Sequence, residues 1–308
     1  MITAVELGLI YAIMALGVYL TFRILDFPDL TVDGSFTTGA ATASITIVNG
    51  VNPILATLLA FLVGSLAGVI TGLLHTKGKI DGLLAGILTM IALYSINLRI
   101  MGKANVSLLG ESTLVSPLRA NQLLGTWASV ILMFAGCLVM VALIVWFLRT
   151  NVGLAMRATG DNEEMIRSFG VSTDNQKILG LALSNGMVAF AGALIAQFQG
   201  FADVGMGIGV ILIGLASVIV GQAIFGQKFI WIAALAVVFG SVVYRLVIQV
   251  ALNAGLEVTD MKLISAVLVV LALILPQWKG FSKFANRIRI RGKDAPATEV
   301  KEEVGTNA

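Results

Sequence analysis

Charge is scarce in this chain of 308 residues: Asp, Glu, Lys and Arg make up 12% of it, about half the ~25% of a soluble domain. Cysteine is nearly absent, and the single Cys137 excludes an internal disulfide or a cysteine-rich metal site. Histidine occurs once, as His75, which rules out H-E-x-x-H and multi-histidine ligand sets. A phosphate-binding loop is also missing. It would need G-x-x-x-x-G-K-[ST], whereas five residues separate Gly72 from Gly78-Lys79, and Ile80 follows. Gly205-x-Gly207-x-Gly209 is not G-x-G-x-x-G and lies in an apolar context, so it reads as close packing. The first apolar stretch has no basic residues ahead of it and no small-residue cleavage site, so it is expected to remain as a membrane span rather than a removed signal.

What is abundant is apolar surface. Hydrophobic residues reach 58%, against roughly 45–50% in soluble domains, and 33 residues are glycine. A soluble fold of this size has too little interior to hide that much, so the solvent for most of it is a bilayer. The expected fold is all-α, a polytopic transmembrane helical bundle. β-barrel strands would alternate apolar and polar residues; these blocks are apolar all round.

A spanning helix needs about 20 mostly apolar residues. On that scale nine spans are expected, give or take about one: Ala4–Phe22, Asp33–Val48, Pro53–Leu74, Leu83–Leu98, Trp127–Leu148, Ile178–Gln199, Ile208–Phe225, Phe229–Ala251 and Lys262–Trp278. The second and fourth are short and rich in small residues. The domain division that follows is a transmembrane domain over 1–278, which includes the 149–177 loop, and a tail over 279–308, basic and then polar. If the loops at 23–32, 75–82, 149–177 and 226–228 share a side with the tail, that side holds fifteen of the 20 Lys and Arg residues and the other side four. Arg245 lies inside a span. The positive-inside rule then makes the 149–177 loop and the C-terminus cytoplasmic. Nine spans put the N-terminus outside, and one span more or fewer would reverse it. The basic start of the tail is expected to meet anionic lipid rather than nucleic acid.

The inner loop is patterned. Asp161 followed by Glu164 has the form of a capping box, with Glu163 adding charge at the positive end of the helix dipole. Gly170 is a C-terminal stop. The two-turn helix between them carries Met165, Ile166 and Phe169 on one face. Being short, it is marginal alone. Its apolar face fits either a docking partner or an interfacial position on lipid or on its own bundle.

The run Gly153-x3-Arg157-Ala158-x-Gly160-x-Asn162, followed by Gly170-Val171, resembles the coupling segment of bacterial ABC-importer permeases of the branched-chain amino acid and ribose permease superfamily. Met165-Ile166 stands where that family usually has small alanines. The stretches 181–196 (LALSNGMVAFAGALIA) and 207–226 (GIGVILIGLASVIVGQAIFG) resemble its small-residue helix and its glycine-punctuated segment. Near the N-terminus, DLTVDGSFTTGAA from Asp29, with Tyr94, Asn97, Arg99 and Gly102, resembles more closely a subgroup associated with amino-acid-type binding proteins, including ones for tryptophan.

The resemblance implies a bacterial inner-membrane permease subunit that imports a small solute, an amino acid and an aromatic one by the subgroup, by alternating access. Two cytoplasmic ATP-binding subunits would bind ATP and Mg and drive it, so the chain itself would be no enzyme and hold no cofactor. A second permease copy in a homodimer and an extracytoplasmic solute-binding protein would complete the assembly. The coupling residues implied are Gly153, Arg157, Gly160, Asp161, Asn162, Glu163, Glu164, Met165, Ile166, Phe169 and Gly170. The alternative is an ion-gradient-driven secondary transporter, against which stands the near absence of ionisable groups deep in a span. A membrane scaffold fits the composition but leaves the capped helix unexplained, and no nucleophile–base or metal set suggests an intramembrane enzyme.

Polar groups within spans are the pathway candidates: Asp33, Ser35, Thr37 and Thr38 in the second, Asn97 at the end of the fourth, Asn185 and Gln197 in the sixth, and Arg245 in the eighth. For Asp33 the preferred alternative is an N-cap at the start of its own helix. Asn185 and Gln197, on different faces, are equally suited to bonding neighbouring helices. For Arg245 snorkelling or an interhelical bond is preferred to anion recognition. Gly64, Gly68 and Gly72 form a small-xxx-small ladder for close helix packing, within the chain or across a permease dimer.

Overall fold

Residues 1–227, 229–255 and 261–274 are described by a computed structural model. The tail over 279–308, Lys228 and the expected end of the ninth span lie outside the described residues. In chain order the helices are α1 (Ile2–Tyr19), which continues as a π-helical turn over Leu20–Ile24, α2 (Thr31–Val48), α3 (Pro53–Thr76) and α4 (Gly82–Met101). A short strand β1 (Asn105–Ser107) and helix α5 (Ser116–Ala120) precede α6 (Trp127–Arg149), α7 (Asn151–Asp161) and α8 (Glu163–Ser168). Then come α9 (Thr173–Gln199), strand β2 (Phe201–Asp203), α10 (Val210–Phe225), α11 (Ile230–Asn253) and α12 (Met261–Ile274).

Local chemistry sets many of these boundaries. Asn52 accepts a hydrogen bond from the Ile54 backbone N–H at 2.9 Å, and Pro53 takes the first helical position of α3. Asp81 caps α4 in the same way through Leu83 N–H at 3.0 Å, and Gly102, at φ +67°, ends it.

Among the described residues, six helices are long and apolar enough to cross a membrane: α1 with its π-helical turn, α3, α4, α6, α9 and α11. The chain is a helical multi-pass membrane protein. The nine expected spans differ from these six for physical reasons. α2 is a full 18 residues but is diluted by Thr, Ser and Gly, α10 is apolar yet only 16 residues, and α12 is described over 14.

The centre of the bundle is α1, α2 and α9. α9 packs along α3, α2 and α1, while α11 packs along α10 and α1. These approaches depend on missing side chains. A Cβ at Gly39 of α2 would overlap the Ala189 backbone of α9, and at Gly64 and Gly68 of α3 would overlap Ala189 and Leu181 of α9. At Gly72 it would meet Ile178 at 2.9 Å. The Gly64/Gly68/Gly72 ladder thus faces α9 of its own chain. At the other end of the bundle, β1 and β2 pair antiparallel with Val106 opposite Ala202, tying the 99–126 loop to the end of α9.

Candidate functional site

The first polar group of interest is a buried seam between α2 and α9. Asn185 donates from Nδ2 to Asp29 Oδ2 at 2.7 Å and to its own helix at Leu181 O, and accepts at Oδ1 from the Ser35 hydroxyl at 2.7 Å. Asp29 also accepts from Thr31 N–H at 2.9 Å, so this aspartate starts α2. Burial pushes the Asp29 carboxyl above its ordinary range, against the bonds from Thr31 and Asn185. Lower on α9, Gln197 donates to Thr57 of α3 at 2.8 Å and accepts from Leu114 N–H at 3.0 Å. Both amides of α9 therefore bond neighbouring segments of this chain.

Asp33 corrects the expectation of an N-cap on its own helix. α2 begins two residues earlier, and the Asp33 carboxylate instead caps α10 from across the bundle. Gly209 N–H donates to Oδ2 and Ile211 N–H to Oδ1, each at 2.8 Å. A carboxylate here meets both orphan N–H groups and the positive end of the α10 dipole. Thr37 accepts from Gly207 N–H at 3.1 Å, and a Cβ at Gly207 would overlap the Asp33 carbonyl. Thr38 bonds back to Gly34 O within α2.

Beside this junction, between α2, α4 and the 204–208 segment, lies a cavity of ≈ 440 Å³, within the usual range of about 300–1,000 Å³ for a small-molecule site. Asp33, Thr37, Tyr94, Ser95 and Asn97 contribute to its wall, among apolar side chains such as Met90. Asn97 is 1% exposed. Its Nδ2 donates to Gly34 O at 3.3 Å, and because a carbonyl can only accept, that contact fixes the amide with Oδ1 on the other side. That Oδ1 has no partner among the described residues.

Arg245 lies elsewhere, buried between α11 and α1, with its guanidinium 3.9 Å from the centre of the Tyr11 ring. The contact is an interhelical cation–π pair. Tyr11 in turn stacks on Phe36 of α2 at 5.9 Å.

The patterned loop folds into α7 and α8. Thr150 Oγ1 accepts from Gly153 N–H at 3.2 Å to start α7. Gly153 and Gly160 have no room for a Cβ, since they lie against the Phe147 and Ile24 carbonyls. The cap of α8 falls one residue later than the Asp161–Glu164 box: Asn162 Oδ1 accepts from Met165 N–H at 2.9 Å, and Asp161 is the last residue of α7. Glu163 ties α8 to α9, accepting from Lys177 at 2.6 Å, from Arg167 at 2.8 Å and from Thr173 at 3.1 Å. Burial pushes the Glu163 carboxyl up, but Lys177, Thr173 and Arg167 together outweigh that and hold it below its ordinary range. With its polar side engaged, α8 leaves Met165 47% and Phe169 76% exposed, with Ile166 partly so and Gly170 (φ +84°) closing the turn. Glu164 is exposed.

Two buried acids escaped the sequence reading. Asp29 sits two residues ahead of a helix start, the spacing of an Asx cap. Glu6, 1% exposed within α1, accepts from Gly125 N–H at 2.8 Å and from the Ser129 hydroxyl. An acid inside the first span was the available signal.

Comparison with known proteins agrees with this architecture. Residues 1–275 match the family model described as branched-chain amino acid transport system / permease component. A tyrosine transport system permease protein of Clostridioides difficile (strain R20291) is 44% identical over 270 residues, covering 87% of this chain and 88% of that one. An uncharacterized protein of Rickettsia prowazekii (strain Madrid E) is 36% identical over 277 residues, 89% of this chain and 96% of its own. A fructose import permease protein of Bifidobacterium longum (strain NCC 2705) is 28% identical over 309 residues, 97% and 83% of the two chains. The chain belongs to the branched-chain amino acid transport system permease family, and it is a membrane-spanning permease subunit of the ABC-importer class.

Proposed function

We propose that the chain forms the solute pathway of an importer for an aromatic amino acid, with α8 as the element that docks the ATPase. The observation that carries the docking role is the ledge of Met165, Ile166 and Phe169, presented outward while Glu163 locks the opposite side of α8 to α9. A rigid apolar ledge of this kind is a surface that a groove in a partner can grip and push. Gly153 and Gly160 seat α7 tightly enough to pass that motion to the end of α1, with Arg157 between them.

On this reading nine helices span the membrane, α2, α10 and α12 joining the six longer ones. Fifteen Lys and Arg residues against four support a cytoplasmic C-terminus and a cytoplasmic α7–α8 segment. Two ATP-binding subunits hold the ATP and Mg, a second copy of the chain completes the pathway, and an extracytoplasmic binding protein delivers the solute. This chain contributes no hydrolytic site, and its basic tail lies on anionic lipid. The cavity at Asn97 supports passage of an amino acid: Asp33, Ser95 and Asn97 in its wall suit the polar end, and Tyr94 and Met90 suit a ring. The substrate class is also supported by the printed function of the tyrosine permease relative.

The test is co-purification of the tagged chain with its ATPase from native membranes. Replacing Met165, Ile166 and Phe169 together by serine is expected to abolish association while the chain still elutes as a monodisperse species. Unchanged association would remove the docking role. Replacement of Asn97 by alanine in the reconstituted transporter is expected to lower aromatic amino acid uptake without affecting assembly.

A further inference from the structure

A second cavity, of ≈ 450 Å³, opens where the π-helical end of α1, the C-terminal half of α7 and the α10–α11 turn meet. Its wall differs in kind from the one at Asn97. Among the described residues it carries two cations, Arg23 and Arg157, and two carboxylates, Asp26 and Asp161. None of the four joins an ion pair among the described residues. The cavity is held together by backbone: a Cβ at Gly160 would overlap the Ile24 carbonyl, so α7 lies directly against the π-helical turn.

A relay of amides fixes what the floor of this cavity offers. Arg23 can only donate, and its guanidinium donates to Gln227 Oε1. Gln227 must then present its nitrogen to Gln222, whose Oε1 accepts it at 2.7 Å. Gln222 Nε2 is left as a donor without a partner, on a residue only 7% exposed. A buried N–H without an acceptor is unfavourable until something supplies one. The nitrogen itself is covered, but Gln222 lines the cavity beside the guanidinium groups of Arg157 and of Arg23, which bonds Gln227.

We propose that this cavity binds a small zwitterion, its anionic oxygens received by Gln222 Nε2, Arg23 and Arg157 and its ammonium by Asp26 and Asp161. A lone anion would leave two carboxylates facing it, and a lone cation two guanidinium groups; a group carrying both charges a few bonds apart satisfies all four. The exposed ring of Phe22 and the side chain of Ile230 supply apolar contact at the rim. Two sources share this chemistry, a free α-amino acid and the phosphoethanolamine headgroup of a lipid. Because Arg157 and Asp161 lie in the segment assigned above to ATPase coupling, occupancy would clamp α7 against α1 and the α10–α11 turn. That consequence for transport rests on the coupling reading; the binding itself does not.

The experiment uses the full chain in nanodiscs of phosphatidylglycerol alone, a lipid without an ammonium group, titrated by calorimetry with L-tyrosine and, separately, with phosphoethanolamine. Saturable binding of at least one probe is expected, and the tighter one identifies the source. Both Gln222→Glu, which turns the free donor into an acceptor, and Arg23→Gln, at an exposed position tolerant of exchange, are expected to weaken it at least tenfold. Each titration is repeated in the Asn97→Ala background, which removes the contribution of the cavity assigned above to the transported solute. Absence of binding by either probe, or binding insensitive to both the Gln222 and Arg23 changes, would overturn the site. Co-purification of the ATPase with the same variants reports on the coupling reading separately, so the two can fail independently.

Discussion

Helices α2 and α6 invert what a soluble protein would do with them. α6 is a run of Leu, Val, Ile, Met, Phe and Trp, yet only five of its 23 residues are buried. α2 is punctuated by Thr, Ser, Gly and Asp, and fourteen of its 18 residues are buried. In water the apolar helix would go inside. In a bilayer the lipid chains are as apolar as leucine, so burial of α6 brings little, whereas hydroxyls and an acid in lipid would be left without partners. Small residues let backbones close to contact, and the polar groups bond across the gap. The centre of this molecule is therefore chosen by what lipid would reject, not by what water would.

The comparison is most easily broken at glycine. Gly39 of α2 faces the Ala189 backbone without room for a Cβ, while a Cβ at Gly136 of α6 would meet nothing within 4 Å. Gly39→Val is expected to destabilise by about 3 kcal/mol or more, enough to remove the monodisperse species in detergent. Gly136→Val should leave elution and thermal midpoint essentially unchanged. Equal effects at the two sites would mean that α6 is packed in a way the isolated chain does not reveal.

A smaller effect is expected within the polar seam. Asn185→Leu keeps the volume but strands the Asp29 carboxylate and the Ser35 hydroxyl, a loss of about 2 kcal/mol. Cys137→Ser on α6 serves as the rim control, since Cys137 Sγ already donates to Leu9 O at 2.9 Å and a hydroxyl can do the same. Thermal unfolding of both variants in one detergent decides the matter. A seam that tolerates leucine as well as Cys137 tolerates serine would show that its hydrogen bonds contribute specificity rather than stability.

How far the sequence could be read follows from the same contrast. α1, α3, α4, α6, α9 and α11 were legible as spans because length and apolarity are local properties. Asn185 and Gln197 could be marked as groups in need of partners, but not matched to Asp29, Ser35 or Thr57, because those pairings join segments 140 to 156 residues apart only through the packing of α9. That packing in turn follows from Gly39, Gly64 and Gly68, whose direction is invisible in a spacing. Asp33 shows the limit most clearly. Its position near a helix start was legible and its acceptor role was correctly sensed, yet the N–H groups it satisfies belong to α10. The capping of α8 slipped by one residue because Asp161 and Asn162 are both good caps, and the continuation of α7 through Asp161 decides between them.

The faintest expected effect concerns α8, where neither glycine packing nor burial does the holding. Its tether is Glu163, with Lys177, Thr173 and Arg167 around one half-exposed carboxylate. Because these partners keep the Glu163 pKa below the ordinary 4.5, the folded state favours the ionised form. The tether is thus fully present above the ordinary value and is lost as pH falls through the lower folded one. A spin label at the exposed Ser168 is expected to become more mobile as the protein is taken from neutral pH to well below the ordinary carboxylate range. Glu163→Gln should give the mobile spectrum at both pH values, since an amide cannot hold two cations. If the wild-type label were equally immobile at both, the ledge would be held by apolar contact after all, and α8 would follow the same rule as the bundle centre rather than the opposite one.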